Sequence, residues 1–245
     1  ENQPRLLEKL LYRLTHHNSS EENFALFKQQ LIKHWQNSDK SKSISQLFSS
    51  LSSLMQPNNP SADELSDALS KLSFLQYQRF CQKLFEQITL EVLIHGNWLL
   101  KHATNIVTNI KQAFNNNYSK KYAVQCPVVD ITNKKTLILP MQIPDHDHAS
   151  VVYTPLPTRD ENLVALTMVT SHLLSPLFFQ EMRTEKQYGY LVGVGYVPIN
   201  RYPGIAFYIQ SPHVDAIALT KAIDEFINNS LEMLTEISDD NWLHL

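Results

Sequence analysis

Tyr188-Gly-Tyr-Leu-Val-Gly-Val-Gly-Tyr-Val197, then Pro198-Ile-Asn-Arg-Tyr-Pro-Gly204, then Ile205-Ala-Phe-Tyr-Ile-Gln210 is the stretch on which the fold turns. The outer runs alternate as a half-buried strand must, with a period of two residues. The Pro- and Gly-bearing link between them predicts a hairpin. Working outward, Asn162 to about Arg183 is helical in pattern, with Pro176 expected to break or kink it because proline removes a helix hydrogen bond. Ala149-Ser-Val-Val-Tyr-Thr154 reads as a strand and Val214 to Leu234 as an amphipathic helix. A strand, a helix, a hairpin and a helix predict an α+β unit of helices on an antiparallel sheet.

The first third of the chain has a different character. Leu6, Leu7, Leu10, Leu11 and Leu14 recur at helical spacing. Ser19-Ser-Glu-Glu22 and Ser61-Ala-Asp-Glu64 read as capping boxes that open helices. A polar stretch from Asn37 to Lys42 and the loop Pro57-Asn-Asn-Pro60 separate a short helix around Leu47–Met55. Thr89-Leu-Glu-Val-Leu-Ile-His95 reads as a strand ending at Gly96, and Trp98 to Phe114 as a further helix. Asn115-Asn-Asn-Tyr-Ser-Lys-Lys121 is a polar linker. It places a domain boundary near Gln125, so that 1–125 and 126–245 are expected to be two partial α+β domains, the first mainly helical with one late strand.

Composition narrows the function classes. A chain of 245 residues suits two small or partial domains, and 43% hydrophobic residues can build a core. Lys+Arg 21 against Asp+Glu 24 leaves a net charge of −3, too balanced to attract nucleic acid or an anionic membrane. No apolar run is expected to reach the ~18 residues a membrane span needs. Cys81 and Cys126 are too few for a disulfide framework and have no zinc-finger spacing. Glu1 opens directly on a helical pattern and Leu245 stops inside another, begun at Ser238, so the chain is expected to be a piece of a longer one.

No self-sufficient catalytic motif is present. The sequence has no His-Glu-x-x-His, no inverted His-x-x-Glu-His, no Gly-x-Ser-x-Gly and no glycine-rich phosphate loop. Asp145-His-Asp-His148 is the tempting metal cluster. Alternation would set His146 and His148 on one side, but two imidazoles make a weak site, and a solvated polar turn is the favoured reading. His16-His17 ends a helix, where a capping role is favoured over a ligand role. Of five glycines, Gly189, Gly193, Gly195 and Gly204 crowd the hairpin. They imply either strands bent against a helix or an edge kept bare so that something can lie on it.

Met182-Arg-Thr-Glu-Lys-Gln-Tyr-Gly-Tyr190 spans the helix-to-strand junction. Arg183 offers a fixed fork of donors and Tyr190 a hydroxyl on a rigid ring, a pair suited to holding a peptide carbonyl. The same residues more often serve structurally, as an arginine on a carboxylate and a core tyrosine, and on the residues alone that is the favoured reading.

Arg183-Thr-Glu-Lys-Gln-Tyr-Gly-Tyr-Leu-Val192 resembles the Arg-x-x-x-Gln-x-Gly-Tyr-x-Val segment in the C-terminal half of the pitrilysin (protease III) and insulin-degrading-enzyme family, the M16 zinc metallopeptidases. Leu174-Ser-Pro-Leu-Phe-Phe-Gln-Glu-Met-Arg183, Gly204-Ile-Ala-Phe-Tyr-Ile-Gln-Ser211, Pro57 with Leu65–Leu72, and Leu93-Ile-His-Gly-Asn97 resemble its neighbouring segments, so the resemblance covers essentially the whole chain. Tyr188 departs from it, standing where relatives usually carry an aliphatic residue. The resemblance implies a zinc endopeptidase of four related α+β domains in two halves that close around a chamber. The zinc and its glutamate base belong to a first domain absent here. The chain would be the later part of the third domain and the first part of the fourth, with no metal ligands of its own. Arg183 and Tyr190 would reach the substrate and the transition state from the C-terminal half. Implied partners are a peptide or small protein substrate and the catalytic half of the same polypeptide, and the implied location is periplasmic. The competing expectation is an inactive scaffold or binding subunit of the same kind, separated from the peptidase by whether an intact zinc motif lies upstream.

Overall fold

The computed structural model describes residues 2–16, 19–86, 88–114, 126–131, 136–142 and 147–235. The Asn115–Lys121 linker, His17, Asp145, His146 and the segment begun at Ser238 lie outside them. Helices and a small antiparallel sheet make the chain α+β. It divides into two compact units, 1–35 with 64–125, and 36–63 with 126–245. Residues 36–63 thus join the sheet-bearing unit although they precede the linker.

The first unit contains helices α1 (Asn2–Thr15), α2 (Glu21–Gln36), α4 (Ala62–Lys71), α5 (Phe74–Lys83) and α6 (Leu100–Ala113). The chain enters α2 one residue later than the expected capping box, because Ser20 Oγ accepts the amide of Asn23. A capping box does form at Ser73 and Gln76, opening α5. Lys28 Nζ donates to the carbonyls of Ser70 and Leu72 at 2.8 Å, a cation on the last free acceptors of α4. His16 caps α1 as expected, its Nδ1 3.1 Å from the Tyr12 carbonyl and its ring stacked on Tyr12.

Thr89–His95 forms no strand. Leu93 is 92% exposed. Alternating apolar residues supply one face of a strand, but a strand also needs a neighbour to take its N–H and C=O groups.

In the second unit, β1 (His148–Pro155), β2 (Leu191–Tyr196) and β3 (Gly204–Ser211) form an antiparallel sheet in the order β1-β3-β2. Val152 pairs with Phe207, Phe207 with Val194, and Ile209 with Val192, which places these side chains on one face. Helices α7 (Glu161–Phe179) and α8 (Ala216–Thr235) cover that face. Leu174, Phe178, Met182, Leu219, Ile223 and Phe226 complete its core. Phe178 is fully buried and meets Phe207 and Phe226 edge-on, at 5.5 and 4.9 Å between ring centres. The opposite face carries Tyr208 and Gln210 and is covered by α3 (Ser43–Met55), where Phe48 packs edge-on against Tyr208. The unit is therefore three layers, and a short segment from before the linker supplies the third.

Helix α7 runs through Pro176 and ends three residues later, at Phe179, where wider turns take over from Gln180 to Glu185. This 161–185 stretch is long and apolar enough to cross a membrane by length and composition. Its Leu174, Phe178 and Met182 lie in the core of the unit, as for a helix packed on a sheet, while Leu166, Met168, Leu177 and Phe179 are exposed.

Candidate functional site

The corner between the wide turns and β2 is built from local backbone bonds. The amide of Lys186 reaches the Glu181 carbonyl and that of Tyr188 the Met182 carbonyl, both at 2.9 Å. Between them Gln187 takes φ 52°, a left-handed conformation that lets the chain reverse at a cost of order 1 kcal/mol for a residue with a side chain. Lys186 pairs with Glu181 at 2.6 Å, and that hydrogen bond raises its pKa. Tyr188, the departure from the family pattern, packs against the core with Lys186 Nζ 5.8 Å from its ring centre.

Arg183 leaves this corner exposed, and its Nη1 donates to the carbonyl of Gly189 at 2.7 Å. Gly189 lies against β3 so closely that a Cβ there would collide with the carbonyl oxygen of Gln210. The next residue, Tyr190, donates its amide to that same carbonyl at 3.1 Å and keeps its side chain 44% exposed. The structure thus brings Arg183 and Tyr190 to one corner: the guanidinium grips the peptide that precedes the tyrosine.

The Tyr190 hydroxyl is held by groups that sequence reading passed over. It donates to Asp147 Oδ2 at 2.6 Å and accepts from Gln210 Nε2 at 2.8 Å, and Gln210 Nε2 also donates to Asp147 Oδ2 at 2.9 Å. Gln210 is 1% exposed, and its Oε1 accepts the amide of Ile44 in the first turn of α3 at 3.2 Å. That amide is otherwise a free donor of a helix start, so Gln210 ties α3 to the sheet. Ser43 Oγ adds a bond to the Asp147 carbonyl at 3.2 Å. Asp147 is therefore no solvated turn residue, and His148 is an exposed strand residue paired with Ser211. Among the described residues no group of three His, Cys, Asp or Glu is set to hold a metal.

The hairpin glycines serve internal packing at three of four places. Gly193 makes room for the Tyr208 ring and Gly204 for the Tyr153 ring, as Gly189 does for the β3 backbone, while a Cβ on Gly195 would meet open space. Only Gly195 fits the reading of an edge kept bare.

Comparison with known proteins agrees with this architecture. Residues 1–68 match a family model described as the middle or third domain of peptidase M16. Residues 169–245 match one described as PQQ synthase PqqF-like, C-terminal lobe domain 4. Human insulin-degrading enzyme is 24% identical over 250 residues, covering 96% of this chain and 24% of that protein. The A-factor-processing enzyme of Saccharomyces cerevisiae is 24% identical over 240 residues, covering 96% and 23%. The crystal structure of pitrilysin superposes with a TM-score of 0.85 at 19% identity, covering 100% of this chain and 26% of that one, a likeness of fold. The chain spans about a quarter of the length of these relatives, and its similarity to peptidase M16 proteins runs over nearly all of its own length.

Proposed function

We propose that this chain is part of a zinc-dependent endopeptidase of peptides and small proteins, and that it comes from the half that does not hold the zinc. Residues 1–125 would be the later part of the third domain and 126–245 the first part of the fourth. The observation that carries the reading is the corner itself. Arg183 and Tyr190 are both exposed, and the Arg183 guanidinium is fixed 2.7 Å from the peptide oxygen that precedes Tyr190. An inactive scaffold of the same family is the competing reading, and the activity of the Tyr190 variant separates the two.

In this reading the chain's own groups bind and orient. The Tyr190 hydroxyl and the free N–H groups of Arg183 donate to the carbonyl of the peptide to be cut, and more strongly to the oxyanion it becomes. Closure of the two halves around the substrate would exclude water and bring these donors to it. By resemblance to the zinc peptidases, the metal and the base that activates water would come from the catalytic half of the polypeptide. A periplasmic location belongs to the same proposal and rests on the resemblance to protease III.

The test is Tyr190→Phe in the full-length parent. The ring is kept, so the melting temperature should barely move, while kcat on a short peptide should fall by ~100–1000-fold, the usual loss for one oxyanion donor. Parental turnover in Tyr190→Phe would remove the active-site role and leave the segment a helix-to-strand corner.

A further inference from the structure

We infer that Asp147 and Gln210 are positioning residues for Tyr190, forming a buried-to-surface relay that sets where its hydroxyl sits. The inference rests on the reading of Tyr190 as a substrate-binding residue.

The chain of contacts runs outward from the core. Gln210 is 1% exposed on the central strand β3, and its amide orientation is forced. Its Oε1 faces the backbone N–H of Ile44, which can only donate, so its Nε2 must face Asp147 and Tyr190. Its side-chain oxygen and nitrogen are both engaged, and the group cannot turn without stranding a buried amide. Asp147 is held at its backbone as well, where Ser43 Oγ donates to its carbonyl at 3.2 Å. The two fixed groups close a triangle on the Tyr190 hydroxyl with sides of 2.6, 2.8 and 2.9 Å. The phenol of a ring 44% exposed would otherwise sweep a wide arc on the surface.

The triangle also tells how the hydroxyl can act. Its proton points to Asp147 in the resting chain. Rotation about the bond from ring to oxygen re-aims that proton at a substrate carbonyl without moving the oxygen. Gln210 Nε2 remains a donor to the phenol oxygen throughout, which supports partial negative charge there as the proton is shared outward. Asp147 keeps the second bond from Gln210 and stays satisfied. Both donors meet one carboxylate oxygen, Oδ2, so an asparagine amide oxygen could take its place. The required property is an acceptor at that point, and the negative charge is secondary.

The experiment is a double-mutant cycle in the full-length parent, with steady-state kinetics on a short peptide and melting temperature for each variant. Asp147→Ala should lower kcat by roughly 10- to 100-fold, the scale of an ångström-sized misplacement, with KM little changed. Asp147→Asn should restore most of that loss. In a Tyr190→Phe background Asp147→Ala should cost no further activity, because the group it positions is gone. An equal loss in both backgrounds would show a general structural effect and overturn the proposal, as would a normal kcat for Asp147→Ala. If Asp147→Ala does not fold, failure of the folded Asp147→Asn to keep kcat within a few-fold of parental overturns the acceptor argument. Parental turnover by Tyr190→Phe alone would overturn this inference together with the active-site reading, and that single variant tells the two failures apart.

Discussion

Arg183 Nη1 donates to the carbonyl oxygen of Gly189 at 2.7 Å, so the guanidinium is fixed to the backbone immediately before Tyr190. One arm of its donor fork is occupied by the protein, and the arginine is exposed to whatever lies over the corner. Arg183→Ala in the full-length parent should therefore lower kcat/KM by ~100-fold or more, with a KM component larger than that of Tyr190→Phe if the group also grips the bound peptide. Arg183→Lys should recover little of it, because an ammonium cannot hold the Gly189 carbonyl and a substrate oxygen in one plane. Steady-state kinetics on one short peptide decides this, and a normal kcat/KM for Arg183→Ala would remove the arginine from the site.

Gly189→Ala should be costly for a different reason. The added methyl would collide with the Gln210 carbonyl oxygen, a backbone atom of the central strand that cannot step aside. We expect a loss of about 1–3 kcal/mol on denaturant unfolding, typical of overpacking, accompanied by reduced activity because Tyr190 is carried by the displaced peptide. Gly195→Ala, where the new methyl meets open space, should be close to neutral and serves as the control.

The sheet unit should depend on Phe178, which is fully buried between Phe207 and Phe226. Truncation to alanine removes a ring from between two others and should cost about 3–5 kcal/mol. A urea midpoint for Phe178→Ala that matches the parent chain would contradict the packing described above.

Alkaline pH gives a signed prediction. Burial, with a smaller contribution from the charge of Tyr196, pushes the Tyr153 phenol up to about 12. Its hydroxyl donates to the Val197 carbonyl at 3.2 Å. A phenol whose folded pKa is raised binds its proton more tightly in the native state. Its contribution is complete below the ordinary tyrosine pKa of ~10 and is lost as pH rises from there through the folded value. Stability should fall between about pH 10 and 12, and Tyr153→Phe should make that fall shallower. Chemical denaturation of both chains across this range measures the difference, and parallel curves would show that Tyr153 has no part in it.

The elements of the sheet unit were legible in order and kind because each rests on a local period. The hairpin, the strand from 149 to 154 and the helices around 162–183 and 214–234 all carry their buried residues at strand or helix spacing. Gly189 and its neighbours were visible as an anomaly, although what each glycine makes room for was not. Thr89–His95 shows the limit: alternation describes one face of a segment, while membership of a sheet depends on a second segment that the period does not name.

Arg183 and Tyr190 stand seven positions apart, so a corner between a helix and a strand could bring them together from sequence alone. Asp147 and Gln210 could not be read that way. Asp147 looked like part of a polar turn and Gln210 like the last polar residue of a strand. Their meeting with Tyr190 joins positions 147, 190 and 210, and it is fixed by Ile44, a fourth position far away in the chain. The side-chain period of a strand says that Gln210 faces opposite to Ile209. That this face is buried beneath the start of a helix from residue 43 onward is a tertiary fact, and burial is what obliges the amide to find partners and so to hold the tyrosine.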